Sequence, residues 1–392
     1  MQRLSFSRIP ALRFGPGSVS ELADILSNYG TSVLILTGAS SLARSGKKRK
    51  LEEDFAEKGL DAVFMTVRSE PSPELVDNAV LRFRRRFIDV VCAIGGGSVI
   101  DAGKAVSAML PSGDLVSDYL EGVGTGAVHD GRKTPFVAVP TTAGTGSEAT
   151  KNAVLSHVGR GGFKKSLRHD NFVPDIAVID PELAVDCPRS VTAASGMDAL
   201  CQLIESFVSI KANPLSDTLA ISGIEHASNG LVPACTTGSD NVDARGDMAY
   251  AAFLSGVTLA NAGLGVVHGF ASSVGGMRAI PHGVICGTLL AEATAVTIEK
   301  LRTQGAAGKP FLDKYARAGR LLSGGAAHEN KDDCDRLVDI LRGLTDELDM
   351  PRLGDYGITA FNVKAILDKT SAKNNPGGLD REDMRRILEA RL

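Results

Sequence analysis

The chain has 392 residues, 43% of them hydrophobic and 23% charged, the balance of an ordinary soluble globular protein with length for two domains. A formal net charge of −3, 5% aromatic residues and no Trp exclude a general pull toward nucleic acid or anionic membrane and a stacking platform for single strands. The six cysteines (92, 187, 201, 235, 286, 334) form no CxxC pair, and the N-terminus has no apolar leader run, so a reducing, cytoplasmic setting is expected.

In chain order the first half alternates. Short apolar runs at 31–38, 61–67, 88–97, 135–146 and 175–180 predict strands, and amphipathic stretches at 18–28, 43–58, 74–87 and 98–109 predict helices. The basic run "KKRK" (47–50) precedes "LEEDFAEK" and reads as the solvated start of a helix. Apolar runs without strict alternation suit strands buried on both faces, and the βα alternation implies a parallel sheet. Residues 121–134 predict a loop. After Asp180–Pro181 the strand signals stop, and helical patterns follow at 190–209, 214–230, 240–262, 283–302, 310–323, 331–348, 359–371 and 380–392. The expected organisation is an α/β dinucleotide-binding domain over 1–180 and an all-helical domain over 181–392.

Ligands of parallel sheets bind at the C-terminal strand ends. Here those ends carry "TGAS", "GGGSV" and "TTAGTGSE". In "GGGSVIDAGKA" (95–105) the glycines permit close approach of a ligand, and the following helix N-terminus attracts an anion. The stretch is not a P-loop, because five residues separate Gly97 from Gly103 and Ala105 replaces the magnesium-binding hydroxyl. It is not the usual dinucleotide fingerprint either, because Ile100 takes the sixth place. "GTGSEA" (144–149) is a literal GxGxxA, and the hydroxyls of Thr141, Thr142, Thr145 and Ser147 suit a ligand lining. "TGAS" ends the first clear strand with no acidic residue to receive a ribose hydroxyl. Gly38, Ala39, Ser40 and Ser41 leave room and donors for a ribose phosphate, which points toward NADP.

Of seven histidines (129, 157, 169, 226, 268, 282, 328), His268 and His282 stand beside glycines in apolar surroundings. A lone buried histidine is most often a core residue. These two, with Asp198 buried upstream in "GMDALCQLIESF", form a mixed carboxylate–imidazole set suited to zinc or ferrous iron. Gln202 is one helical turn from Asp198, as a weak fourth ligand or an outer partner.

The motifs "GGGSVIDAGKA", "VPTTAGTGSEAT", "DPEL", "TAASGMDAL", "ANAGLGVVHGFA" and "PHGVICG", in this order over nearly the whole chain, resemble the iron-containing (group III) alcohol dehydrogenase family. The resemblance implies an active site in the cleft between the two domains and NAD(P)-linked interconversion of an alcohol with an aldehyde or ketone. It implies that Gly95, Gly96, Gly97, Ser98 and Val99 hold the pyrophosphate. Thr141, Thr142 and Thr145 would line the nicotinamide half, Asp101 would lie near cofactor and substrate, and Leu183 near the adenine. Gly38 matches the NADPH-preferring members. The family's metal ligands are one Asp and three His. Asp198, His268 and His282 match three of them, and Gln202 replaces the fourth. Ser272 replaces a further His associated with proton handling, which leaves water or a ribose hydroxyl as the relay. Related glycerol dehydrogenases hold zinc with one Asp and two His, so zinc or a loosely held iron is expected. A homodimer or larger homo-oligomer is expected as well.

Two other readings stand beside this one. A dehydroquinate-synthase-like, non-redox enzyme shares the architecture, and it or a reductase of an oxoacid or phosphonate-bearing aldehyde would use the bases Lys164, Lys165 and Arg168. A nucleotide-binding protein with a decayed metal site is the non-enzymatic reading, resting on Gln202 and Ser272.

Overall fold

The computed structural model describes residues 5–39, 42, 46–159, 162–236, 241–324 and 332–392. Among them eight strands follow in chain order: β1 (Ala11–Phe14), β2 (Ser32–Gly38), β3 (Asp61–Val67), β4 (Val90–Gly95), β5 (Phe136–Pro140), β6 (Asn152–His157), β7 (Phe163–Arg168) and β8 (Ile176–Ile179). β6 and β7 pair as an antiparallel hairpin, and the other six form one sheet in the order β1-β8-β5-β4-β2-β3. Every pairing in that sheet is parallel.

The sheet is apolar on both faces, which is why its strands lack strict alternation. Successive side chains divide between two cores. Leu34, Leu36, Val91, Ala93, Phe136 and Ala138 pack on one face. Val33, Ile35, Val90, Cys92, Val137 and Val139 pack on the other. The helices that cover them are α1 (Leu22–Ser27), α2 (Lys47–Glu57), α3 (Pro73–Phe83) and α4 (Gly97–Met109). α2 begins with the basic run, whose charges pair along its own surface: Arg49 with Glu53 at 2.9 Å and Lys50 with Asp54 at 2.6 Å.

β2 leads to β3 on one side of the sheet, whereas β4 leads to β5 on the other. The ends of β2 and β4 therefore border a topological switch point, where such sheets bind ligands. The glycine-rich turn after β4 stands there. The segment after β5 is tied down by Lys104, 1% exposed on α4. Its ammonium donates to Ser147 O at 2.7 Å, Thr150 Oγ1 at 2.8 Å and Asn152 O at 2.8 Å, so all three protons are used.

Beyond β8 the described chain is helical: α5 (Arg189–Val208), α6 (Pro214–Thr236), α7 (Val242–Ala262), α8 (Val266–Met277), α9 (His282–Arg302), α10 (Lys309–Leu322), α11 (Asp333–Glu347), α12 (Ala360–Lys369) and α13 (Arg381–Glu389). α5 is buried on nearly all sides and lies at the centre of the largest core. No single helix among the described residues is long and apolar enough to cross a membrane.

The structure departs from the sequence expectations in detail. The fourth predicted strand stops at Pro140, and 141–146 form a turn. The first predicted helix divides into a 3-10 turn (Ser18–Glu21) and α1. Residues 43–45, 240 and 331, at the edges of expected helices, lie outside the described residues. β1, the β6–β7 hairpin and α8 had no sequence expectation.

Burial has a measurable cost at Glu148, 3% exposed in the segment held by Lys104. Desolvation pushes its carboxyl from the ordinary 4.5 up to about 7. Between these values the native state keeps a proton that the unfolded chain has released, so stability falls as pH rises through this window. Glu148→Gln removes the titration. Its denaturation midpoint should gain on the wild type between pH 5 and pH 8, and a difference independent of pH would contradict the assignment.

Candidate active site

The glycine turn opens the site. β4 ends at Gly95 and α4 begins at Gly97, leaving the first N–H groups of α4 without helical partners. A methyl group on Gly97 would lie 2.6 Å from Thr145 Oγ1, so the bare glycine lets the β5 turn close against the β4 turn. Thr145 Oγ1 in turn lies 3.0 Å from Ser147 Oγ. Gly96, Gly97, Ser98, Val99, Thr142 and Thr145 line a cavity of about 800 Å³ together with Asp198 and His282. Asp101, Ser147, Gln202, His268 and Ser272 line an adjoining cavity of about 590 Å³. Gly97, Ser98, Thr145 and His282 border both, so the two cavities lie on either side of these residues.

Of the other residues expected at the cofactor, Gly38, Gly95, Thr141 and Leu183 line neither cavity. Gly38 ends β2, and Ser40 is outside the described residues. Gly95 and Thr141 are joined by a backbone hydrogen bond of 3.0 Å at the base of the two turns. Leu183 belongs to the apolar cluster with Leu51 and Phe55. Asp101 accepts from Val154 N at 3.1 Å through Oδ2, while Oδ1 has no partner. Burial raises its pKa against the pull of Lys104 at 3.9 Å.

α5, α8 and α9 build the polar centre. Asp198, Gln202 and Glu205 fall on one side of α5 through spacings of four and three residues. His268 lies in the first turn of α8, and His282 is the first residue of α9. A methyl group on Gly283 would lie 2.3 Å from Ala194 O, so this glycine allows α9 to touch α5 and bring His282 beside Asp198. His268 Nε2 lies 3.3 Å and His282 Nε2 3.9 Å from Asp198 Oδ1.

Asp198 is 1% exposed, yet neither carboxylate oxygen has a hydrogen-bond donor. Burial would raise its pKa, but the two imidazoles hold it below the usual carboxylate range, with His268 at 3.3 Å the ring that stays charged between Asp198 and Glu205. His282 Nδ1 also has no partner. Burial keeps this ring neutral, pushed down to about 3, against the pull of Asp198. A buried carboxylate without donors, facing two imidazole nitrogens, is chemically incomplete and matches the donor set of a divalent cation.

Two members of this centre were not expected at the site, Glu205 with no expectation at all and Cys286 as a small core residue of an apolar run. Glu205, 5% exposed, holds His268 Nδ1 at 2.7 Å through Oε2 and accepts from Val267 N at 2.7 Å through Oε1. Its signal was a carboxylate seven residues, about two turns, after Asp198 on the side of the helix that also carries Gln202. Cys286, one turn after His282, brings Sγ within 3.6 Å of His268 Nε2 and 3.8 Å of His282 Nε2. Gln202 Oε1 accepts from Ser255 Oγ at 2.9 Å. Ser272 Oγ donates to His268 O at 3.0 Å, within its own helix.

The basic residues singled out in the sequence lie on β7 at the second cavity. Lys164 pairs with Glu70 at 2.5 Å and Arg168 with Glu121 at 2.8 Å. Lys165, Lys369 and Lys373 line the same cavity.

Comparison with known proteins places this geometry in a family. Residues 10–181 match the model of the iron-containing alcohol dehydrogenase, and residues 192–392 match the C-terminal model of the Fe-containing alcohol dehydrogenase family. The chain is 35% identical to an NAD-dependent methanol dehydrogenase of Bacillus methanolicus, over 70% of this chain and 71% of that one. It is 30% identical to an NADPH-dependent butanol dehydrogenase of Clostridium saccharobutylicum, over 96% of this chain and 95% of that one. The structure of an alcohol dehydrogenase from Oenococcus oeni superposes with a TM-score of 0.88 at 26% identity, covering 100% of both chains. With both halves of its length matched in order, the chain belongs to the iron-containing alcohol dehydrogenase family.

Proposed function

We propose that the protein is a metal-dependent reductase of small aldehydes or ketones that prefers NADPH and runs in reverse as an alcohol dehydrogenase. The observation that carries this reading is the buried Asp198 carboxylate, without donors, in the wall of the same cavity as the glycine turn. Asp198, His268 and His282 would hold a divalent cation, zinc or ferrous iron, with Gln202 beside them. When bound, the cation polarises the substrate oxygen as a Lewis acid and the nicotinamide carries the hydride.

The chain's own residues supply placement and electrostatics. Gly95 to Val99 hold the pyrophosphate, which meets the first N–H groups of α4 at Gly97 and Ser98, while the Val99 N–H donates to Gly96 O at 2.9 Å. Thr141, Thr142, Thr145 and Ser147 form the hydroxyl-bearing side of the cradle, with Asp101 beside them. Leu183 gives an apolar surface for the adenine. Glu205 fixes which nitrogen of His268 faces the cleft, because its carboxylate occupies Nδ1. Ser272 spends its proton on His268 O, so its hydroxyl meets the cleft as an acceptor, and the proton of the reaction reaches the substrate through water. Gly38 leaves the end of β2 without a carboxylate to repel a ribose phosphate. The two relatives described above differ in the same respect, one named for NAD and the other for NADPH.

Lys165, Lys369 and Lys373 in the second cavity favour one refinement, a substrate that itself bears an anionic group.

A panel of neutral and anionic aldehydes and ketones tests the reading, with NADPH or NADH and with added Zn²⁺, Fe²⁺ or chelator. Net oxidation of NADPH that chelation abolishes is expected. Turnover of an added carbonyl substrate without net cofactor oxidation, or activity that survives full metal removal, would refute the reading. Gly38→Asp should raise the KM for NADPH by about tenfold or more through like-charge repulsion and leave that for NADH within a few-fold. Glu205→Gln should weaken metal affinity by about 10–100-fold, with kcat recovering at high metal concentration. A role of Glu205 in folding alone would leave metal affinity unchanged.

A further inference from the structure

Four donor atoms, not three, converge on the space between α5, α8 and α9. Asp198 Oδ, His268 Nε2, His282 Nε2 and Cys286 Sγ all lie within 4.8 Å of one another. We propose that Cys286 completes the metal site as a thiolate ligand, and that the site favours zinc or another thiophilic divalent cation. The proposal rests on the metal-dependent reading above and names the fourth protein donor within it, so that the substrate oxygen would enter as a fifth ligand.

Four of the six edges of this donor set come within a few tenths of an ångström to about half an ångström of a tetrahedral site, and all six are under 4.8 Å. Zinc binds nitrogen and oxygen at about 2.0–2.1 Å and sulfur at about 2.3 Å, so the edges of a tetrahedral site with one sulfur measure about 3.3–3.6 Å. The four contacts are 3.3 Å (Asp198–His268), 3.6 Å (Cys286–His268), 3.8 Å (Cys286–His282) and 3.9 Å (Asp198–His282). Both sulfur contacts go to Nε2 atoms. A cysteine that merely fills space has no reason to face the ligating nitrogen of two separate rings. The His268 ring leaves no other choice, because Glu205 occupies Nδ1.

The sulfur also lies on the correct element. Cys286 follows His282 by one turn of α9, so one helix presents both donors to the same point. Cys286 is fully buried, and the Asp198 oxygens beside it have no donors. Gln202, at the position where the resemblance calls for a ligand, already has its amide oxygen against Ser255 Oγ. In this chain the missing imidazole on α5 is thus replaced by a thiolate from α9. A thiolate and a carboxylate together neutralise a divalent cation, and the soft donor disfavours magnesium, calcium and manganese. On binding, the thiol proton is released to solvent as the metal–sulfur bond forms.

Cobalt(II) tests this on the full-length protein, stripped with a chelator and reloaded. The loaded wild type should show a near-ultraviolet thiolate-to-cobalt charge-transfer band. Cys286→Ser should lose the band and bind cobalt at least about tenfold more weakly. Cys201→Ala, a nearby buried thiol, should keep it. Stoichiometric cobalt with no such band, or a band that persists in Cys286→Ser, overturns the proposal while leaving the metal-dependent reading intact. Failure to bind any stoichiometric metal overturns both. Should Cys286→Ser not fold, X-ray absorption of the zinc-loaded wild type decides instead: one sulfur neighbour at about 2.3 Å is expected, and a shell of nitrogen and oxygen alone refutes the assignment.

Discussion

A carboxylate buried with neither oxygen hydrogen-bonded is the constraint on which this site depends. Asp198 sits in the central helix of the largest core, where an isolated charge costs several kcal/mol or more. Nothing in the apolar packing of α5 accounts for that cost. The surroundings answer it with imidazole nitrogens from two other helices and a sulfur from one of them. Folding therefore concentrates donors around a point that the polypeptide itself leaves electrostatically unfinished.

The rest of the architecture brings the glycine turn, the proposed pyrophosphate cradle, to the same cavity. The parallel sheet delivers the glycine turn at the strand ends beside the switch between β2 and β4. Lys104 fixes the turn after β5 by satisfying two carbonyls and a hydroxyl that burial would otherwise leave orphaned. Bare glycines then allow contacts that a methyl group would block: Gly97 against Thr145, and Gly283 against Ala194. Each histidine of the site precedes a glycine for this reason. Gly269 presses on Ser371 O as Gly283 presses on Ala194 O, so each imidazole is carried by a helix in close backbone contact with its neighbour.

Much of this was legible in the chain. The central strands and their C-terminal turns show as apolar runs ending in glycine, and most of the long helices show by their periodicity. The elements without a sequence expectation share a cause. α8 reads "VVHGFASSVGGM", rich in glycine, serine and β-branched residues, all weak helix formers; burial on most of its sides overrides that preference. β7 reads "FKKSLR" and has little apolar patterning, because one side of the hairpin borders a polar cavity. β1 is a mostly exposed edge strand, held by its ladder to β8 rather than by a hydrophobic face.

Local chemistry by itself determined the sheet, the glycine turn at its strand end and the company of Asp198, His268 and His282, because each depends on residue type within a short window. Which atoms face one another was decided only by the packing of α5, α7, α8 and α9. Glu205 at His268 Nδ1, Cys286 between two Nε2 atoms and Gln202 against Ser255 are contacts across 18 to 63 residues of chain. Helical spacing places a side chain on a face of its own helix. It carries no information about the neighbouring helix, whose approach is set by where a glycine removes the last methyl group between two backbones.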